Sequence, residues 1–233
     1  MIRAVYFDAV GTLIFPRPHV DAVYCEVGRR HGSRRNRKSC RRRFSEAFQK
    51  QEGLDRARGW ITSEQREQQR WRDIVAEVLD DVKDPEGCFA ELYQHFAKPA
   101  AWWCKVGTEE LFAALRGRGC LLGVATNYDH RLRTVVAGLV SLRGIDHLLI
   151  SSEVGWRKPA PAFFEALVRQ AGVAPAEILL VGDDRVNDYD GALAAGLGAV
   201  LLDATPGAQR SGVIANLNDL TQFLDNALNP GPV

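Results

Sequence analysis

The sequence predicts an α/β protein, a doubly wound parallel sheet with an α-helical domain inserted after its first strand. Three observations predict it. The opening run "IRAVYFD", Ile2 to Asp8, is continuously apolar and β-prone, as in a strand buried on both faces. From about Val106 onward, helical and strand patterns alternate, which argues for parallel strands joined by helices. Between them, from about Pro16 to Pro99, only amphipathic helical patterns appear. The first strand therefore has no partner in the segment that follows it and must join the later sheet. The expected domains are 1–15 with 105–233 for the sheet, and 16–104 for the helical insert.

Within the insert, the stripes predict helices over Val20–His31, Arg41–Glu52, Ser63–Asp80 and Pro85–Ala97, with Ser63 followed by Arg66 and Glu67 as an N-terminal start. No strand is expected there. Beyond it, Thr108–Arg118 reads as helix, "CLLGVATN" as strand, Asp129–Val140 as helix and "HLLIS" as strand. Helix Pro161–Ala171, strand "EILLVGDD", helix Asn187–Ala195 and strand "GAVLLD" complete the alternation. No internal repeat or low-complexity linker interrupts it.

Composition fits a globular chain: of 233 residues, 46% are hydrophobic and 25% charged, with a net charge of +1. Nothing in that balance draws the protein to nucleic acid or a membrane. The five cysteines are scattered, odd in number and never spaced CxxC, which suits a reducing compartment better than a disulfide framework or zinc site. Asp8 interrupts the apolar start before a signal sequence could form, and no apolar run approaches a membrane span. A cytoplasmic location is the expectation.

Ligands of open α/β sheets sit beyond the carboxyl ends of the strands. There the sequence places Asp8, then Thr126 and Asn127, then Lys158 in "GWRKPAPAFF", then Asp183, Asp184, Asp188 and Asp190 in "EILLVGDDRVNDYDGA". A strand-end carboxylate can act as a nucleophile. Clustered carboxylates without histidine or cysteine are hard oxygen ligands suited to Mg²⁺. Metal and lysine together would neutralise a phosphoryl group that the acids alone repel. Gly11 permits a tight turn after Asp8, whose backbone amides can hold phosphoryl oxygens. Taken singly, each feature is an ordinary turn or loop signal; their ordered occurrence on successive strand ends carries the functional reading.

The set "FDAVGTL", "VATN", "RKPAP" and "VGDDRVND" resembles, in order, the four motifs of the haloacid dehalogenase superfamily of hydrolases. "DAVGTL" with "EVGWRKPAPAFF" looks most like the group related to the rhythmically expressed gene 2 protein. The resemblance implies a Rossmann-like core with a helical cap closing over the site. It implies Asp8 as nucleophile and Mg²⁺ ligand, the Val10 backbone carbonyl as a further metal ligand, and Thr126 beside Asn127 on the phosphoryl oxygens. Lys158 would pair with Asp8 and the transferred group. Asp183 would be the second metal carboxylate, and Asp188 would hold a metal-bound water or the Lys158 ammonium. Asp184 stands where serine is frequent. The expected substrate is a small phosphorylated metabolite.

One departure matters. Superfamily phosphatases carry a second aspartate two residues after the nucleophile, to protonate the leaving alcohol and later activate water. Here that residue is Val10. General acid–base assistance is worth about 10²–10⁴-fold, so its loss should slow an ordinary phosphatase by that factor. Four readings follow: a phosphatase of esters that leave easily, or one assisted from the cap, with His19 and His31 as candidates; a 2-haloacid dehalogenase, since halide needs no proton; a C–P bond hydrolase using a cap lysine, Lys50 or Lys98; or a phospholigand-binding protein with weak catalysis. The dehalogenase reading leaves the "GDD" acids without a purpose, and the phosphatase is preferred.

"RRHGSRRNRKSCRRR", Arg29 to Arg43, holds nine bases in fifteen residues; without them the chain has 21 bases against 29 acids. It reads either as a solvated connection between helices or as a surface for a polyanionic partner. Aromatic residues are not interleaved before Phe44, which disfavours single-stranded nucleic acid. Trp60, Trp71, Trp102 and Trp103 are expected to pack cap to core, Trp156 to pack or line the entrance, and Pro159 and Pro161 to shape the turn into the following helix.

Overall fold

A computed structural model describes residues 1–205 and 211–228. The chain begins with β1 (Ala4–Phe7) and β2 (Ile14–Pro16), then α1 (Val20–Arg30), α2 (Arg37–Ala57), α3 (Glu64–Val78) and α4 (Pro85–His95). It returns through β3 (Trp102–Cys104), α5 (Thr108–Gly117), β4 (Leu121–Thr126), α6 (Arg131–Gly138), β5 (His147–Ile150) and the short α7 (Ser151–Val154). Then follow α8 (Pro161–Ala171), β6 (Ile178–Gly182), α9 (Gly191–Ala194), β7 (Gly198–Leu202), β8 (Val213–Ile214) and α10 (Leu220–Leu228).

Six strands form one parallel sheet in the order β5-β4-β1-β6-β7-β8. The fold is thus Rossmann-like α/β, as predicted, with β1 at its centre. Every residue of β1 and β6 is buried, which is why their sequences show no alternation. Val5 and Phe7 face one layer with Leu111, Phe112 and Leu115 of α5. Ala4 and Tyr6 face the other with Phe163, Phe164 and Leu167 of α8.

The helices α1–α4 bury a cluster of their own, including Val23, Val27, Ile74, Val78, Phe89 and Leu92. Ser63 caps α3, accepting from the Arg66 N–H at 3.1 Å, as its sequence signalled. Helix α2 is longer than predicted at both ends. Asn36 caps it by accepting from the Ser39 N–H at 2.9 Å, so the basic run that reads as a connection forms its first turns. Within Arg29–Arg43, seven arginines make ion pairs: Arg29 and Arg30 with Glu26, Arg35 and Arg43 with Asp80, Arg37 and Arg41 with Asp21, and Arg42 with Glu46. The stretch expected to be a solvated connection thus spans the end of α1, the short link and the start of α2, with these charges paired to the protein's own acids.

Three local expectations are corrected. A strand does occur in the 16–104 segment: β3 pairs antiparallel with β2, where Phe15 stacks on Trp103 at 5.0 Å. Three residues are too few to show a period. The helix expected at Asn187–Ala195 is a π-helical turn, Arg185–Asp190, followed by α9. Beyond β7, β8 and α10 had no predicted counterpart. No helix among the described residues is long and apolar enough to cross a membrane.

Candidate active site

Three neighbouring strands deliver the predicted residues to one edge. The Asp8 backbone N–H still donates to the Val181 carbonyl at 2.9 Å, so Asp8 leaves the sheet between β4 and β6. The Lys158 ammonium, 1% exposed, donates to Asp8 Oδ1 at 2.7 Å, Asp188 Oδ1 at 2.5 Å and the Ala125 carbonyl at 2.8 Å. An ammonium has three donors, and all three are satisfied. Burial alone would lower the Lys158 pKa; Asp188 and Asp8 overcome it and hold the group above the ordinary lysine range. Burial raises the Asp188 pKa, with the Lys158 charge working against the shift and the Asp8 charge with it.

Asp183 is fixed from β1's following turn, where Thr12 Oγ1 donates to Asp183 Oδ1 at 2.8 Å. Gly11 makes that approach possible. Its φ is +100°, and a Cβ there would lie 2.4 Å from Asp183 Oδ2. Asp184 accepts from the Val186 and Asn187 N–H groups at 2.9 Å each, so it caps the π-helical turn that carries Asp188. Its own N–H donates to Asp188 Oδ2 at 3.1 Å.

The predicted set converges except for Gly11, which shapes the turn beside Asp183 but does not line the cavity. Asp8, Val10, Thr126, Asn127, Lys158, Asp183 and Asp188 all line a single cavity of about 420 Å³ between the sheet edge and α1–α4. Asn127, expected on the substrate, lines the cavity and also holds the Lys158 backbone: Oδ1 accepts from the Lys158 N–H at 2.8 Å, and Nδ2 donates to the Lys158 carbonyl at 3.0 Å. His19, His31, Lys50 and Lys98 do not line the cavity. Lys50 pairs with Glu77 at the surface.

Sequence reasoning missed Thr12 and most of the aromatic wall. Trp71 and Trp102, assigned to packing, line the cavity. Trp156 packs against the α8 layer. Phe44 and Phe48, four apart on α2, were a readable signal of a shared face.

One carboxylate oxygen from each of Asp8, Asp183 and Asp188 lies within 4.8 Å of the other two. Three carboxylates face one ammonium there, all the donors are hard oxygens, and the residues fit a divalent cation of the Mg²⁺ type.

A parallel sheet whose central strand ends in a carboxylate held by a buried lysine, beside two further acids, defines a hydrolase of the doubly wound α/β class. The chain belongs to the haloacid dehalogenase-like hydrolases, whose family profile matches residues 2–196. It is 30% identical to human haloacid dehalogenase-like hydrolase domain-containing protein 3, over 86% of this chain and 82% of that one. It is 27% identical to the rhythmically expressed gene 2 protein of Drosophila melanogaster, over 80% of this chain and 77% of that one. These bear out the resemblance read from the motifs. In fold, it superposes on Bacillus subtilis YfnB bound to magnesium with a TM-score of 0.75 at 17% identity, covering 96% of this chain and 99% of that one.

Proposed function

We propose that the protein is a Mg²⁺-dependent phosphatase of small phosphorylated metabolites that works through an aspartyl-phosphate on Asp8. The observation that carries this reading is the meeting of Asp8, Asp183 and Asp188 around one point with the Lys158 ammonium against Asp8. The helical domain 16–104 is the cap over this site. Asp8, Asp183, Asp188 and the Val10 carbonyl would hold the metal, which when bound offsets the negative charge of the acids and the phosphoryl group.

The chain's own residues do the rest. Lys158 fixes the Asp8 carboxylate through its hydrogen bond at 2.7 Å, and its charge meets the phosphoryl oxygens. Thr126, 2% exposed on the cavity wall, offers its hydroxyl to the same oxygens. Asn127 acts as a positioning residue, fixing the Lys158 backbone. An Asp8 oxygen attacks phosphorus, the bond to the ester oxygen breaks, and water then cleaves the aspartyl-phosphate to release phosphate and restore Asp8.

The dehalogenase alternative is less well supported. A 2-haloacid brings a carboxylate to a site already crowded with acids, and burying those acids there without a metal would cost several kcal/mol per ion. The test is phosphate release from p-nitrophenyl phosphate and a phosphometabolite panel with and without Mg²⁺, beside chloride release from 2-chloropropionate. Turnover that needs Mg²⁺ and drops at least 10³-fold in Asp8→Asn is expected. Metal-free chloride release would overturn the reading.

A further inference from the structure

Resting on the phosphatase reading above, we infer that the natural substrate is a phosphate monoester of an uncharged aromatic alcohol, a phenol or comparable enol whose oxygen departs without a proton. Two independent features of the cavity lead there.

The first is its wall. Rings follow one another from the cap toward the catalytic edge: Trp71 lies 6.4 Å from Phe48, Phe48 stacks 6.0 Å from Phe44, and Phe44 meets Tyr24 edge-on at 5.3 Å. Phe96 and Trp102 continue the arc at 5.9 Å, and Trp102 meets Tyr128 at 6.2 Å, one residue past the Asn127 that fixes Lys158. All of these residues line the cavity, whose 420 Å³ lies in the usual range for small-molecule sites. A flat apolar group is what such a wall receives.

Charge excludes the common alternatives. Besides Lys158, the described cations of the lining are Arg70, Arg131 and Arg157. Arg131 is held by both oxygens of Asp129, at 2.8 and 2.7 Å. Arg70 is held by Asp55 and Glu52, and Arg157 by Glu67 and Glu52. A second phosphate or a carboxylate on the substrate would meet no uncommitted cation among them.

The second feature is the state of the acids. Val10 removes the usual proton donor, and no histidine or cysteine is among the described lining residues. Of the lining acids, Asp8 and Asp188 hold Lys158, Asp183 holds Thr12, Asp184 caps its turn, and Glu52 holds two arginines. The lining phenols are poor donors: burial, aided by the Asp129 charge, pushes Tyr93 up to about 12, and burial pushes Tyr24 and Tyr128 higher still. The leaving oxygen must therefore depart as the anion and take its proton from water afterwards. Ester and water give phenol and phosphate, with Asp8 unchanged.

The experiment compares kcat/KM for the full chain with Mg²⁺ on four esters, taken in two pairs. Phenyl and benzyl phosphate are alike in size and aromaticity, but only the first leaves as a stabilised anion. 2-Naphthyl phosphate and glucose 6-phosphate separate the aromatic wall from a polar one. Phenyl over benzyl by at least 10²-fold, and naphthyl over the sugar by at least 10²-fold, are the expected results. Trp71→Ala should cost at least tenfold on 2-naphthyl phosphate. Equal rates on phenyl and benzyl phosphate, or a preference for the sugar phosphate, would overturn the inference and leave the phosphatase reading intact. Silence on every ester, p-nitrophenyl phosphate included, would overturn both.

Discussion

At position 10 the side chain is a valine, 37% exposed and facing the cavity, so a carboxylate can replace it without disturbing the core. An aspartate there could protonate a departing alcohol and later deprotonate the attacking water, the two jobs that Val10 leaves undone. On the proposed phosphatase mechanism the second job would limit turnover of esters that leave easily, because water would have to attack the aspartyl-phosphate without a base. Rapid mixing with p-nitrophenyl phosphate should therefore show a burst of nitrophenol near one per enzyme. In Val10→Asp the burst should vanish and kcat/KM on benzyl phosphate should rise about 10²-fold, with little change on the nitrophenyl ester. The identity of this residue was fully legible in sequence, because its meaning depends on two positions of spacing from Asp8. The engagement of Asp184 and Glu52 was not legible, since their partners depend on a turn geometry and on residues up to 105 apart.

Among the elements, those with a cap and a clean apolar stripe were read closely: α3 begins behind Ser63, and α1 ends within a residue of its predicted bound. Helix α2 was read short because its first turns are a charge run, which shows no apolar period although it is helical. What holds that run is Asp21 in the first turn of α1, 2% exposed and bound by His19 at 2.8 Å, Arg37 at 2.9 Å and Arg41 at 2.6 Å. Burial would raise the Asp21 carboxyl, but the bonds from His19, Arg37 and Arg41 outweigh it and lower it to about 2. A carboxylate with a folded pKa below its unfolded one contributes stability that is complete above about pH 4 and is lost as pH falls toward 2. Asp21→Asn should therefore lower the unfolding free energy by about 1–2 kcal/mol at pH 7, a figure discounted because its partners stand in water. Urea midpoints for the two proteins at pH 7 and pH 3 should converge at the lower pH. A gap that stays constant would mean Asp21 acts by packing.

For the whole molecule, the strand-end residues of the sheet were legible in the sequence, but the contact that joins α2 and α3 to the loop before α8 was not. That contact is a buried charge network whose members come from three separate stretches. Arg157, 2% exposed and adjacent to Lys158, reaches Glu67 of α3 at 2.5 Å and Glu52 of α2 at 2.9 Å. Its N–H donates to the Trp60 carbonyl at 2.9 Å, so backbone and side chain both grip the helical domain. Arg66 and Arg70 pair with Asp55 in the same network, giving three arginines to three acids. Removing Arg157 alone leaves Glu67, 1% exposed, with the Thr62 hydroxyl donating to it at 2.7 Å and its ion-pair partner gone, and an uncompensated buried charge is costly. Arg157→Met should lower stability by about 3–5 kcal/mol and, because Lys158 is the next residue, also lower kcat/KM. Adding Glu67→Gln restores the balance of charge and should recover a large part of the lost stability. Urea unfolding of both single variants and the double variant measures the coupling, which should exceed about 1 kcal/mol for partners in direct contact. If the double variant loses the sum of the two single losses, the Arg157–Glu67 pair carries no shared energy.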